Sequence, residues 1–218
     1  MNKDEETLRE ELVRTLRLLS ERGLNRGTSG NASVRCGAGM LVTPTGIVPD
    51  QLTSQRMVLI DAQGESAPGA MRPSSEWRMH WGILSRRADV HAVVHCHSRH
   101  ATTLACAGKT VPSLHYMVAV SGRAEIPLAP YHPFGSEELA VAVVDTLQGG
   151  YACLMANHGQ IVAASSLARA LAIAEEVEEQ AAVYCGTLAI GGPRLLSPLQ
   201  MDDVLQRFRN YGQKGDKR

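Results

Sequence analysis

The chain has no net charge, no paired cysteines and no long apolar run, and each absence closes off a class of function. Lys plus Arg and Asp plus Glu number 22 each, so no global field draws the protein to nucleic acid or anionic lipid. A local anion site is still compatible with that balance. The five cysteines (Cys36, Cys96, Cys106, Cys153, Cys185) are odd in number, scattered and without a C-x-x-C pair. They argue against a disulfide framework or a thiolate zinc knuckle and fit a reducing cytoplasm. The opening MNKDEETLREELVRTLRLL is charged where a signal peptide is apolar, and no later segment reaches the length of a membrane span. The expectation is a soluble, cytoplasmic protein with neither nucleic acid nor membrane as partner.

What is present is a chain of 218 residues, long enough for one substantial α/β core or two small ones, of which we favour one. Leu8, Leu12, Val13, Leu16 and Leu19 recur at helical spacing between about Asp4 and Arg22, with Gly23 as a stop. Short β-prone runs follow, ASV, MLVTP and MVLID, separated by turn residues. Ser74 and Ser75 precede EWRMHWGILSRR and predict a helix with Glu76 in its first turn. ADVHAVVHCH reads as a buried strand and ATTLACAG as a helix. VPSLHYMVAV and IPLAPY read as edge strands, GSEELAVAVVDTLQ as a helix, YACLMANH as a second buried strand and IVAAS as its hairpin partner. Two helices close the chain, the second from about Pro198 to Tyr211, followed by a charged tail over about residues 212–218 that buries too little to be held in place.

Two constellations carry chemistry. His95 and His97 are two residues apart in a predicted strand, so both imidazoles point to one face. Two hydrogen-bonded histidines are the plain alternative. A valine-rich buried strand is a costly place for two imidazoles, however, and a shared cation accounts for both at once. His158 ends the second buried strand just before a glycine, and Glu76 adds an oxygen. Three nitrogens and one oxygen suit one Zn²⁺ per subunit and tolerate Mn²⁺, Fe²⁺ or Co²⁺. His80, His91, His100, His115 and His132 read as surface or supporting residues.

The second constellation is a set of three stretches rich in small and hydroxylic residues: TSGNAS (Thr28 to Ser33), TPTG (Thr43 to Gly46) and PSSE (Pro73 to Glu76). Each alone is an ordinary turn sequence. Together they offer free backbone N–H groups to an anion, above all at Ser74 and Ser75, where a helix N-terminus favours phosphate. Their adjacency to Glu76 puts a phosphoester within one small-substrate length of the cation.

With these residues in view, the chain resembles the class II aldolase/adducin family, and within it the bacterial fuculose-phosphate aldolase branch. The resemblance runs in order through GLNRGTSGNASVR, MLVTPTGI, PSSEWRMH, AVVHCHSRH, the stretch from IPLAPY to FGSEEL, NHG and QRFRNYG. It implies a single α/β domain spanning residues 1–218, a central, largely antiparallel β-sheet flanked by helices, and a homotetramer with active sites between subunits. It implies metal ligation by Glu76, His95, His97 and His158 and phosphate binding by Gly30, Asn31, Thr45, Gly46, Ser74 and Ser75. Tyr116 from a neighbouring subunit and Glu76 are the implied catalytic groups, with Phe134, Phe208 and Tyr211 around the aldehyde end. The implied activity is metal-dependent cleavage of a deoxy-ketose 1-phosphate, of the L-fuculose, 5-deoxyribulose or 5-methylthioribulose 1-phosphate type, to dihydroxyacetone phosphate and an aldehyde. The family also contains a sugar-phosphate 4-epimerase, a methylthioribulose-1-phosphate dehydratase and the non-catalytic adducin head. ANHG and LAPYHPFG depart from the fuculose pattern, which bears on the substrate rather than on the metal.

Overall fold

The computed structural model describes residues 4–209. Seven strands are laid down in chain order: β1 (Asn31–Cys36), β2 (Gly39–Val42), β3 (Val58–Ile60), β4 (Ala92–Cys96), β5 (Leu128–Ala129), β6 (Ala152–Met155) and β7 (Gly159–Ala164). They form one sheet in the order β3-β2-β1-β4-β7-β6-β5. Every pairing is antiparallel except β5 with β6, in agreement with the expected sheet.

Side-chain alternation along these strands divides the core between two faces. Val34, Leu41, Ala92, Val94, Leu154 and Val162 point to one side. There they meet α1 (Glu5–Glu21), α3 (Arg99–Cys106), α5 (Leu167–Ala189) and the start of α6 (Pro198–Arg209). Met40, Val42, Val58, Val93, Cys153 and Ile161 point to the other, under α2 (Trp77–Arg86) and α4 (Glu137–Leu147). Leu12 and Leu19 of the opening helix are fully buried, each contributing on the order of 2 kcal/mol by leaving water. Side-chain caps start the helices where the sequence offers hydroxyls: Ser136 accepts from Leu139 N–H and Ser166 from Arg169 N–H. No helix among the described residues is long and apolar enough to cross a membrane.

Three elements differ from expectation. VPSLHYMVAV is no strand: only Val111 bridges, to Ile126, and Tyr116–Ser121 form a 3-10 helix. The His115 ring accepts from Met117 N–H to start that turn, and Gly122, in the left-handed region, ends it. The sheet edge beside β6 is taken by β5, so the segment satisfies its backbone locally. Glu76 is the N-cap residue of α2 rather than part of its first turn, and its side chain makes no capping bond. His158 lies past the end of β6, in the turn to β7. The last helix is seen to Arg209; Tyr211 and the tail lie outside the described residues.

Candidate active site

The alternation that divides the core also builds the site. His95 shares a face of β4 with Val93, toward α2, and pairs in register with Asn31 of β1 and Ile161 of β7. Asn31 and Ser33 are two apart on β1 and face the same way. His97 follows the end of β4, and the β6–β7 turn brings His158 back to it. The three rings have centroids 4.7–5.0 Å apart and stand edge-on to one another. One nitrogen from each lies within 4.8 Å of the others. Gly159 permits the approach of β7: a Cβ there would meet the Cys96 carbonyl oxygen at 2.6 Å.

Tautomers follow from partners. The Nδ1 of His95 is 2.7 Å from the Gln160 carbonyl oxygen. A carbonyl only accepts, so the proton sits on Nδ1 and the inward Nε2 is bare. That bare nitrogen is 2.9 Å from His97 Nε2 and 3.4 Å from Glu76 Oε2. Glu76 Oε1 is 3.0 Å from His158 Nε2, yet is buried with no aligned hydrogen bond. His97 can donate to that bare nitrogen, but the Glu76 carboxylate only accepts, so the lone pairs of His95 Nε2 and Glu76 Oε2 repel unless a positive charge lies near them. The donor set therefore fits a divalent cation of the borderline class, bound by imidazole nitrogen and carboxylate oxygen. Burial, followed by the positive charge that His95 and His158 could carry, lowers the His97 pKa to about 3, keeping it in the neutral form a ligand requires. Burial works against ionisation of Glu76, but the neighbouring His95 and His158 outweigh it and hold the carboxyl well below its usual range.

The three hydroxyl-rich stretches converge beside this cluster. Ser74 N–H donates to the Thr43 carbonyl and Thr45 N–H to the Arg72 carbonyl, which ties PSSE to TPTG. Ala32 N–H donates to the Thr43 hydroxyl and Thr43 N–H to the Ala32 carbonyl, which ties TPTG to TSGNAS. A cleft of about 300 Å³ opens between them. Its lining includes all six residues expected to hold phosphate (Gly30, Asn31, Thr45, Gly46, Ser74, Ser75), together with Glu76, His97, His158 and Phe134. His95 does not reach the cleft surface; it is fully buried beside Glu76, His97 and His158. Phe134 stands at the mouth, 73% exposed. Among the described residues no Lys or Arg lines the cleft, so an anion there meets hydroxyl and backbone donors.

Two expected residues are not brought to this cleft within the protomer. Tyr116 opens the 3-10 helix, half exposed. Phe208 lines a separate cavity of about 590 Å³ with Asp89, Tyr151 and Arg169. Other residues join the cleft without having been singled out for it: Tyr131, His132 and Asn157 also line it. Buried Asn25 accepts from His97 N–H through Oδ1.

The histidine taken as a surface or supporting residue that matters most is His80. It is wholly buried, with Nδ1 2.8 Å from Ser33 Oγ and Nε2 2.6 Å from Asn31 Oδ1. Its signal was the four-residue step from Glu76, which places both on one side of the helix start. Burial, then the charge of His95, lowers its pKa to about 3 despite the pull of Glu76. Below pH 6.5 the unfolded chain takes up a proton that the folded imidazole refuses. Stability is therefore lost as pH falls from 6.5 toward 3, by up to about 1.4 kcal/mol per pH unit from this group. His97 adds a slope of the same sign, while His95, whose pKa is raised by Glu76 against the effect of burial, opposes it. In urea titrations of cation-free protein at pH 7.5, 6 and 5, stability should fall, and His80→Gln should flatten the fall by about 1 kcal/mol per pH unit. Parallel slopes for the two proteins would exclude a buried neutral His80.

Comparison with known proteins agrees with the geometry. The family described as Class II Aldolase and Adducin N-terminal domain matches residues 10–185. A 5-methylthioribulose-1-phosphate/5-deoxyribulose-1-phosphate aldolase of Rhodospirillum rubrum is 43% identical over 205 residues, 94% of this chain and 92% of that protein. The L-fuculose phosphate aldolase of Escherichia coli K12 is 42% identical over 206 residues, 94% and 95% of the two chains. A solved structure of an L-fuculose 1-phosphate aldolase superposes with a TM-score of 0.90 at 36% identity, covering 93% of this chain and 96% of that one. With the family match spanning all seven strands and relatives this similar along nearly their whole length, the chain belongs to the class II aldolase and adducin family.

Proposed function

We propose that the protein is a metal-dependent aldehyde-lyase that reversibly cleaves a deoxy-ketose 1-phosphate to dihydroxyacetone phosphate and an aldehyde. The observation that carries this reading is the double placement of Glu76. Its backbone continues directly from Ser74 and Ser75 at the cleft, while its carboxylate lies among His95, His97 and His158. A phosphate and a cation held on either side of one residue are separated by the length of a small ketose, and the cleft volume is at the lower end for a small-molecule site.

In this reading Gly46 and Ser75 offer backbone N–H groups, and Ser74, Ser75 and Thr45 offer hydroxyls, to the phosphate. A divalent cation held by Glu76, His95, His97 and His158 supplies Lewis acidity at the substrate carbonyl, with Zn²⁺ the best match to the donor set. Tyr116 takes the proton of the C4 hydroxyl as the C3–C4 bond breaks. Displaced from the cation by the substrate, the Glu76 carboxylate would take up a proton, in net the one lost from the C4 hydroxyl, and deliver it to C3 of the dihydroxyacetone phosphate half, while its burial removes competing water. Because Tyr116 does not line its own protomer's cleft, the reading places it in the cleft of a neighbouring copy, as a homotetramer with shared sites requires. Phe134 lies where an aldehyde would leave, and Phe208 and Tyr211 are assigned to that end with it.

Purified protein loaded with a defined metal should be given L-fuculose, 5-deoxyribulose and 5-methylthioribulose 1-phosphates in turn. Dihydroxyacetone phosphate and the aldehyde are measured separately. At least one substrate should yield the two in equal amounts. An epimerised ketose phosphate or a dehydrated product, with no dihydroxyacetone phosphate from any of the three, would overturn the aldolase assignment.

A further inference from the structure

Behind the carboxylate of Glu76 lies a line of buried polar groups that the cleavage chemistry does not itself use. Asn31 Nδ2 donates to Glu76 Oε2 at 2.9 Å, His80 Nε2 is 2.6 Å from Asn31 Oδ1, and His80 Nδ1 is 2.8 Å from Ser33 Oγ. Asn31, Ser33 and His80 are all buried, Ser33 and His80 completely.

The direction of each bond follows from the one beside it. An ionised carboxylate only accepts, so Asn31 must turn its NH₂ toward Glu76 and its oxygen toward His80. That oxygen needs a donor, which fixes the proton of His80 on Nε2. The bare Nδ1 then accepts a hydrogen bond from the Ser33 hydroxyl. Without a donor at His80, the Asn31 amide could turn over and set its oxygen against the carboxylate, a like-dipole contact in a buried site. The second hydrogen on Asn31 Nδ2 is not used in this line, and Asn31 also lines the cleft where phosphate is placed.

We infer that His80 is a positioning residue: through Asn31 it holds one oxygen of Glu76 as a fixed acceptor and leaves the other, Oε1, as the oxygen that carries the proton. The same amide joins the phosphate cradle to the acid/base group, so a single buried imidazole sets both. This rests on Glu76 as the proton carrier, as proposed above.

The test compares His80→Gln, His80→Leu, Ser33→Ala and Glu76→Gln with the parent. Glutamine places an N–H donor near the Nε2 position; leucine places none. Two readouts are taken for each Zn²⁺-loaded protein: deuterium exchange from solvent into dihydroxyacetone phosphate with no aldehyde present, and thermal stability. Bound Zn²⁺ is counted by mass spectrometry. His80→Leu should lose at least tenfold in exchange and raise the KM for dihydroxyacetone phosphate while still binding one Zn²⁺. His80→Gln should stay within about threefold of the parent. Both should lower the melting temperature, since each strands Ser33, so the rate and the stability part company. Ser33→Ala, a milder change that keeps His80, covers the case in which His80→Leu does not fold, and should lose exchange by a smaller factor. Exchange in His80→Leu within twofold of the parent, or equal losses in the Leu and Gln variants, would overturn the inference. Where His80→Leu does not fold, unchanged exchange in Ser33→Ala overturns it. Undiminished exchange in Glu76→Gln would instead overturn the reading of Glu76, whatever His80 does.

Discussion

Removing divalent cations with a strong chelator should abolish cleavage, by at least about 10³-fold, which corresponds to the several kcal/mol that a Lewis acid contributes to such a step. One equivalent of Zn²⁺ per chain should restore it. The expectation follows from the geometry of the nitrogens. His95 gives its one proton to the Gln160 carbonyl, and so aims a bare Nε2 at His97 Nε2, 2.9 Å away. Glu76 Oε1 is buried, with no hydrogen bond, 3.0 Å from His158. Such a cluster is poorly satisfied by protein groups alone, so its affinity for a cation is also a contribution to folding. The melting temperature should fall on chelation and rise again with the ion. Repeating the restoration with Mn²⁺, Fe²⁺ and Co²⁺ ranks the metals by kcat and by melting temperature. Protein shown by mass spectrometry to hold less than a tenth of an equivalent of any metal, yet cleaving at the parent rate, would defeat the metal assignment.

That cluster was readable in the sequence because its spacing is a property of the strand. His95 and His97 differ by two, and a period of two keeps them on one side. The supporting His80 was only half readable: the four-residue step puts it on the side of Glu76, but no local feature tells a helical histidine that faces Asn31 and Ser33 from one that faces solvent. The distinction depends on β1 lying under α2, a pairing made across 45 to 49 residues of chain. The same limit explains VPSLHYMVAV. Its apolar residues suit an edge strand, but which segment takes the edge beside β6 is decided by competition with Leu128–Ala129, and a run cannot report on its competitor. The three hydroxyl-rich stretches were identifiable singly as turns. Their convergence depends on Thr43, whose backbone and side chain bond to both of the other stretches. The helices, by contrast, were legible to within about two residues, because amphipathic spacing is a local signal: GSEELAVAVVDTLQ contains α4, and ATTLACAG overlaps α3 with an offset of two. Tyr116 and Phe208 mark a further limit. Neither lines the cleft of its own protomer, and spacing along one chain carries no signal for where an exposed aromatic is used.

Replacing Glu76 with glutamine separates holding the cation from moving the proton. The amide matches the carboxylate in shape, and its oxygen can still accept from Asn31 Nδ2, the bond made now by Oε2. His95, His97 and His158 are untouched, so at saturating Zn²⁺ one ion per chain should remain, with affinity lowered by about 10- to 100-fold for a weakened ligand. Turnover should fall by about 10² to 10⁴-fold, the range in which a positioned acid/base group contributes. The KM for the ketose phosphate should move little, since Ser74, Ser75 and Gly46 still frame the cleft. A loss in kcat with KM kept means that the interaction removed belongs to the transition state and not to substrate binding. If Glu76 were a ligand and nothing more, added Zn²⁺ would bring activity back in step with occupancy. If it carries the proton, full occupancy leaves kcat low, and a plot of kcat against bound Zn²⁺ distinguishes the two outcomes directly.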